Sequence, residues 1–254
     1  MDILLTLQYD GTRYCGFQVQ KNGLSICQAL QDGMEALLGT RPPVKGCGRT
    51  DAGVHALGYA LSFSTESKIP VEKFPLALNR FLPPDIRVVG AQAVPAGFHA
   101  RYSAHSKTYC YRIRCSGVDS PFDSQYCHRI STPLDVDAMQ RAADEFVGTH
   151  DFMALCSAGS SVAAKGDTVR TIYGCTVQRQ QEYVTITVSA NGYLYNMMRI
   201  LSGTLVQAGM HQITPDRIPA ILASRDRANA GPTLPAKGLF LVRVDYPELE
   251  RSDP

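Results

Sequence analysis

Hydrophobic and polar positions alternate along several stretches of the chain and recur at helical spacing along others. Thr171 to Arg179 and Tyr183 to Ala190 alternate apolar with polar β-formers on either side of Gln180-Gln181, which predicts a β-hairpin. Ile3 to Gln8, Val44 to Gly48, Ala56 to Phe63, Ile86 to Val94, Thr108 to Arg114 and Leu239 to Tyr246 also read as strands. Ser25 can cap a helix that runs through Leu38 and closes at Gly39. Further helices are expected over Val71 to Phe81, confined or kinked by Pro75, and over Leu134 to Val147, with Asp135 near its start. Tyr195 to Ala208, broken by Gly209, and Pro215 to Ala223 complete the set.

The first six elements fall in the order β-α-β-β-α-β, a split βαβ, ferredoxin-like unit. The second half resembles it loosely, and no strong sequence repeat links the two. The pattern predicts an α+β protein of two halves, residues 1–105 and 106–254, with the boundary near Pro95 to Ser106. A chain of 254 residues has room for one large domain or two small ones. The stretch from His150 to Val169 is long and rich in Gly, Ser and Ala, as functional or mobile loops often are.

Composition narrows the class. No apolar run approaches a membrane span, and MDILLTLQYDG lacks the basic and small-residue marks of a signal peptide. The eight cysteines include no CxxC pair and no zinc-ligand spacing, so free thiols in a reduced cytoplasmic protein are expected. A net charge of +2 decides little, but its distribution says more. Ile86 to Val118 carries Arg87, Arg101, Lys107, Arg112 and Arg114, no acid, and the interleaved rings Tyr102, Tyr109 and Tyr111. Such a mixture suits RNA, where cations meet phosphates and rings stack on bases. Taken alone, the segment reads slightly more readily as an amphipathic strand with solvated basic residues on one face. Neither GxGxxG nor GxxxxGK[ST] occurs, which argues against a nucleotide-cofactor enzyme.

The densest chemistry lies in Gly48-Arg49-Thr50-Asp51-Ala52-Gly53-Val54-His55, between two predicted strands. Glycines permit sharp turns and close approach to a ligand, and Arg49 favours an ionised Asp51 that can act as nucleophile or base. Asp-Ala-Gly is also ordinary turn chemistry, and spacing alone does not choose. His55 has no visible relay partner and reads as a residue that holds the loop. Tyr9-Asp10-Gly11-Thr12 with Tyr14, Gly16, Phe17 and Gln18 is either a hydrophobic turn or an RNA-facing surface. Arg199 is the only charge between Tyr183 and Gln212, and so apolar a setting calls for an anionic partner, with Asp51 the obvious candidate.

The segments YDGTRYCGFQVQ, GCGRTDAGVHALG, FHARYSAHSKTYCYRI, GTHDF, YLYNMMRILSGTLVQAG and GPTLPAKGLFLVRVDYP, in that order, closely resemble the TruA family of tRNA pseudouridine synthases over nearly the whole length. GRTDAGVH is highly specific to that family. The resemblance implies two ferredoxin-like or RRM-like halves, a central antiparallel sheet with helices on one side, and an active-site cleft between the halves. It implies conversion of uridine to pseudouridine in the anticodon arm of tRNA, at positions thirty-eight to forty, by a cytoplasmic homodimer without cofactor or metal. A synthase for other RNA uridines and a non-catalytic tRNA-binding or folding module are the alternatives.

Residue by residue, Asp51 matches the catalytic aspartate and Arg49 the arginine of its loop, with a part in extruding the target base. Tyr109 matches the tyrosine that stacks on the flipped uracil and is placed for the C5 proton. Arg199 matches the basic residue that pairs with the aspartate, and Leu239 lies in the GLFL segment that lines the pocket. Arg101 and Lys107 are expected to bind the RNA backbone. The residue types leave three routes open: attack of the carboxylate on ribose, attack on uracil, or removal of a sugar proton. Cys27, Cys47, Tyr59 and Ser202 depart from the common family pattern, and none belongs to the expected catalytic set.

Overall fold

The computed structural model describes residues 1–21, 23–159 and 163–250. The chain forms two compact units, residues 1–105 with 240–254, and residues 106–239.

In the first unit, β1 (Asp2–Tyr9) runs antiparallel to both β3 (His55–Ser64) and β4 (Ile86–Val94), with Asp2 opposite Ser64 on one side and Val94 on the other. The two-residue β2 (Lys45–Gly46) pairs antiparallel with Ser62 and Leu61 of β3. The resulting order β4-β1-β3-β2 is the ferredoxin-like one that the element order predicts. Ile3, Leu5 and Leu7 of β1 are fully buried, as period-two alternation requires.

The helix α1 (Ile26–Leu38) begins and ends where its caps dictate. Ser25 Oγ accepts from Gln28 N at 3.1 Å, and Gly39 N donates to Glu35 O at 2.9 Å. Ile26, Leu30 and Met34 repeat at four-residue spacing and are buried. The helix expected over Val71 to Phe81 is split into a 3₁₀ turn, Val71–Lys73, and a short α2 (Phe74–Leu78). Pro75 is the cause: it has no N–H to give Val71 O, so the α-helix starts where that donor is not needed.

The closing strand β10 (Leu239–Asp245), placed with the second half by sequence order, pairs parallel with the start of β3. Phe240 faces His55 and Leu241 faces Ala56, and the described residues from Phe240 to Glu250 group with the first unit.

In the second unit, β5 (Ser106–Cys115) pairs antiparallel with β9 (Tyr183–Ala190), β9 with β8 (Val169–Gln180), and β8 with β7 (Gly148–Asp151). The three-residue β6 (His128–Ile130) lies parallel to β5. The β8–β9 hairpin turns at Gln181 with φ 55°. Val184, Ile186, Val188 and Ala190 are all fully buried, the face that the alternation predicts. The helix α3 (Val136–Asp144) is capped by Asp135, whose carboxylate accepts from Ala138 N at 2.9 Å. It packs on β8 and against α4 (Met197–Gly209). Asn196, at φ 60°, delays the start of α4 by two residues relative to the expected Tyr195, and Gly209 is its last residue rather than a break. A shorter α5 (Arg217–Ser224) follows, and α6 (Pro247–Glu250) ends the described chain. Within the expected loop from His150 to Val169, residues 160–162 lie outside the described residues; a 3₁₀ turn forms at Met153–Leu155.

Candidate active site

The segment from Gly46 to His55 links β2 to β3, and its backbone is held at almost every step. Tyr59 Oη donates to Gly48 O at 2.5 Å. Tyr9 Oη and Thr50 Oγ1 are 2.9 Å apart. Phe17 N donates to Thr50 O at 3.1 Å, and Val54 N closes a turn onto Asp51 O at 3.2 Å. Thr50, Val54 and His55 are buried, whereas Asp51 is half-buried and Arg49 and Ala52 are exposed. The loop is therefore anchored through Gly48, Thr50 and Val54, with Arg49 left exposed and Asp51 half-buried between them. Among the described residues Arg49 makes no ion pair, so it does not hold Asp51 ionised by direct contact.

The Tyr9-to-Phe17 segment supplies the clamp. Tyr9, Tyr14 and Phe17 are buried, and the Phe17 ring stacks on Tyr59 with centroids 4.2 Å apart and planes 22° apart. Phe17 also accepts from Cys27 N at 2.9 Å, which ties the loop to the first turn of α1. Gly16 has φ 103°, and a Cβ there would lie 2.5 Å from Thr50 O, so the close approach needs glycine. Gly11 is tighter still, since a Cβ would run into Val54 O. Asp85 fixes the intervening turn, taking Tyr14 Oη at 2.6 Å and Arg13 Nε at 2.9 Å. Burial and that carboxylate push the Tyr14 hydroxyl well above its ordinary pKa.

His55 is 1% exposed and stacks on Phe240 at 4.7 Å. Its Nδ1 accepts from Gly11 N at 3.1 Å and lies 3.2 Å from Asp10 Oδ1. The imidazole is thus a buried strut between the loop, the Asp10-Gly11 turn and β10, in keeping with a loop-holding residue.

Arg49, Asp51 and Arg101 belong to the first unit, and Lys107, Tyr109, Arg199 and Leu239 to the second. On β5, Tyr109 is 9% exposed, its ring 4.8 Å from that of Tyr193 in an edge contact. Tyr193 Oη donates to Val188 O at 2.8 Å and lies 3.1 Å from Lys107 O, which locks the ring that backs Tyr109. Lys107 itself is half-exposed.

Arg199, in the first turn of α4, donates through Nε to Leu234 O at 2.6 Å and through a terminal nitrogen to Asn196 Oδ1 at 2.8 Å. Leu234 N returns a bond to Arg199 O at 3.3 Å. These neutral acceptors satisfy much of a guanidinium set among apolar neighbours, and they orient it. Pro235 O accepts from Tyr111 Oη at 2.7 Å. Burial pushes the Tyr111 hydroxyl above its ordinary pKa, while nearby Arg199 pulls the other way. Leu239 is 6% exposed and follows Gly238, which lies against the Tyr111 ring. The structure thus gathers Arg199, Tyr111 and the 234–239 segment in one place.

The sequence model for tRNA pseudouridine synthases matches residues 6–103 and 142–247. The chain belongs to this family. Curated relatives called tRNA pseudouridine synthase A cover nearly its full length. That of Thermoanaerobacter sp. (strain X514) is 43% identical over 245 residues, 96% of this chain and 99% of the relative. That of Ruminiclostridium cellulolyticum is 46% identical over 246 residues, with the same coverage. That of Moorella thermoacetica is 45% identical over 244 residues, 95% and 98% of the two chains. A chain from the crystal structure of a Cbf5-Nop10-Gar1 complex is similar at 11% identity and a TM-score of 0.34, covering 80% of this chain and 53% of that one, a likeness too slight to build on.

All eight cysteines are free thiols, and five are buried. Burial raises the pKa of Cys127 to about 11 and that of Cys175 to about 12, so neither is a thiolate near neutral pH. Among the described residues no cluster of three His, Cys, Asp or Glu side chains is arranged to hold a metal ion. Among the same residues no helix is long and apolar enough to cross a membrane. Sequence reasoning missed the clamp. Tyr59 reads as a peripheral departure from the family pattern, yet it is fully buried and holds Gly48. Only its alternation within β3 hints at burial.

Proposed function

We propose that this protein isomerises uridine to pseudouridine in the anticodon arm of tRNA, at positions thirty-eight to forty, with Asp51 as the catalytic carboxylate. The observation that carries the reading is the near full-length match to tRNA pseudouridine synthases, with GRTDAGVH intact in a clamped loop. The reaction breaks the C1′–N1 bond of uridine and forms C1′–C5, while the proton on C5 leaves and N1 gains one. Atoms and electrons balance within the nucleoside, so the chemistry calls for no redox partner.

Each residue has a task in this scheme. Asp51 acts in its ionised form, as nucleophile or base. Arg49, exposed beside it, handles the nucleotide as the base leaves the stack, a step that costs a few kcal/mol. Stacking on Tyr109 returns roughly 1–3 kcal/mol, and its hydroxyl serves the C5 proton. Arg199, oriented by Leu234 O and Asn196, supplies the positive charge that an anionic mechanism needs. Leu239 adds apolar surface that keeps water from the loosened ring. Arg101 and Lys107 meet phosphates. On the same footing we infer a homodimer that needs neither metal nor cofactor and works in the cytoplasm. Sedimentation and activity in the presence of a chelator test the first two points.

The decisive experiment is Asp51→Asn. Pseudouridine formation in a tRNA transcript is expected to fall at least about a thousand-fold, within the range set by loss of a positioned base or nucleophile. The Kd for tRNA should stay within about threefold of the original, since a single uncharged substitution leaves the phosphate contacts in place. Appreciable turnover by a clean preparation would overturn the assignment and favour a binding-only module.

A further inference from the structure

Three tyrosines, five cations and no acid occupy the stretch from Ile86 to Val118, and burial sorts the rings. Tyr111 is 0% exposed, Tyr109 9% and Tyr102 75%. A single exposed tyrosine is ordinary on a protein surface. The setting of Tyr102 is less so.

It stands on a turn from His99 to Ser103 whose backbone is fixed. Tyr102 N and Ser103 N both donate to His99 O, at 3.0 and 2.9 Å. Arg101 N donates to His99 Nδ1 at 3.1 Å, and Ala100 N to Ser62 Oγ at 3.1 Å. Ala100 O accepts from the buried Tyr246 Oη at 2.6 Å. The side chains above this turn are aromatic or cationic. The His99 ring lies 4.3 Å from that of Tyr102, tilted by 45°, and the Arg101 guanidinium carbon lies 5.7 Å from the Tyr102 centroid. Burial first, and then the field of Lys45, hold His99 below the usual imidazole pKa, so its ring carries no charge at neutral pH. Arg101 and Lys45 are exposed, and neither makes an ion pair among the described residues. An aromatic face held on a rigid turn, with the unpaired Arg101 beside it and Lys45 near enough for its charge to act on His99, matches a base and its flanking phosphates, without further ordering of the protein.

We propose that Tyr102, with Arg101 and Lys45, forms a stacking platform for an unpaired nucleotide of the RNA substrate. The base lies on the open surface of the Tyr102 ring, and its phosphates meet the two cations. This rests on the proposed function only in taking RNA as the substrate.

The chain contains no tryptophan, so Tyr102→Trp installs a single indole as a reporter. Titration with unmodified tRNA should quench its fluorescence through base stacking, whereas polyphosphate, which has charge but no bases, should not. Tyr102→Ala should raise the Kd for tRNA about 5- to 150-fold, the value of one stacked base, with unchanged melting. Tyr102→Phe should bind within about twofold of the original. Equal quenching by polyphosphate, or an unchanged Kd for Tyr102→Ala, would overturn the platform. So would a change in oligomeric state with tRNA affinity intact, which would assign the ring to a protein contact. If the unaltered protein forms pseudouridine while Tyr102→Ala binds normally, the platform alone falls. If the unaltered protein neither binds nor modifies tRNA, the RNA reading falls with it.

Discussion

Two segments of the first unit, the loop from Gly46 to His55 and the turn from His99 to Ser103, share a rigid backbone and use their aromatic rings in opposite ways. Around the loop the rings are buried struts: Tyr9 on Thr50, Tyr59 on Gly48, Phe17 stacked on Tyr59, His55 stacked on Phe240. The groups left outside are Arg49 and, in part, Asp51. In the turn the backbone does the anchoring, through His99 O, Ser62 and Tyr246, and the Tyr102 ring is what is left outside. Under the roles proposed for Asp51 and Tyr102, the difference separates two ways of serving one substrate. Chemistry on a base needs a carboxylate held to a fraction of an ångström, and buried aromatic packing gives that. Holding a strand of RNA needs an open π-face and free cations, and a hydrogen-bonded turn gives that at little cost in core.

Gly16→Ala should break the loop most severely. The added Cβ meets Thr50 O at 2.5 Å and forces an L residue to φ 103°. Either the loop moves or the Phe17 link to α1 opens. A stability loss of about 2–4 kcal/mol is expected, with kcat lowered by roughly a hundredfold or more through misplacement of Asp51. Urea denaturation and single-turnover assays measure the two. An alanine variant that melts and turns over normally would mean that the clamp does not position the carboxylate.

Tyr59→Phe is the finer cut through the same clamp. It keeps the ring stacked on Phe17 and removes only the hydroxyl that donates to Gly48 O at 2.5 Å. The stranded carbonyl should cost about 1–3 kcal/mol. If Tyr59 positions the loop, kcat falls by more than that destabilisation predicts from unfolding, while KM stays within about twofold. A loss of stability with unchanged kcat would make Tyr59 packing and nothing more.

What the sequence shows and what it hides follow the same division between local and distant causes. The start and end of α1 are legible because Ser25 and Gly39 act within one turn. The burial of β9 is legible because alternation is a local rule. β2 lies within the strand expected over Val44 to Gly48, whereas the short β6 and β7 leave no pattern, and pairing with neighbours alone defines them. The partner of β10 is a strand at the far end of the chain order, which no window of sequence reports. The candidate site divides likewise. GRTDAGVH is legible as a turn that carries a carboxylate, and the role proposed for it comes from the family resemblance. The Tyr59, Phe17 and His55 contacts that hold it in place, and the exposure of Tyr102 but not Tyr109 or Tyr111, depend on packing between segments far apart in the chain.

The smallest effect tests the exposed side of the comparison. Arg101 is exposed, its guanidinium meets only the Tyr102 ring, and no carboxylate holds it among the described residues. Arg101→Ala should therefore leave stability within about 0.5 kcal/mol of the original, as surface substitutions do. If Arg101 takes one phosphate, log Kd for tRNA should rise less steeply with log salt, the slope dropping by about 0.7 to 0.9. At low salt the variant should bind more weakly, and the two curves should converge as salt rises, because screening removes from the unaltered protein what the substitution removes from the variant. Parallel curves would take phosphate contact away from Arg101 and leave it as a cover for the Tyr102 ring. Convergence with full stability would separate this turn from the loop, where the cuts at Gly16 and Tyr59 are expected to loosen the fold.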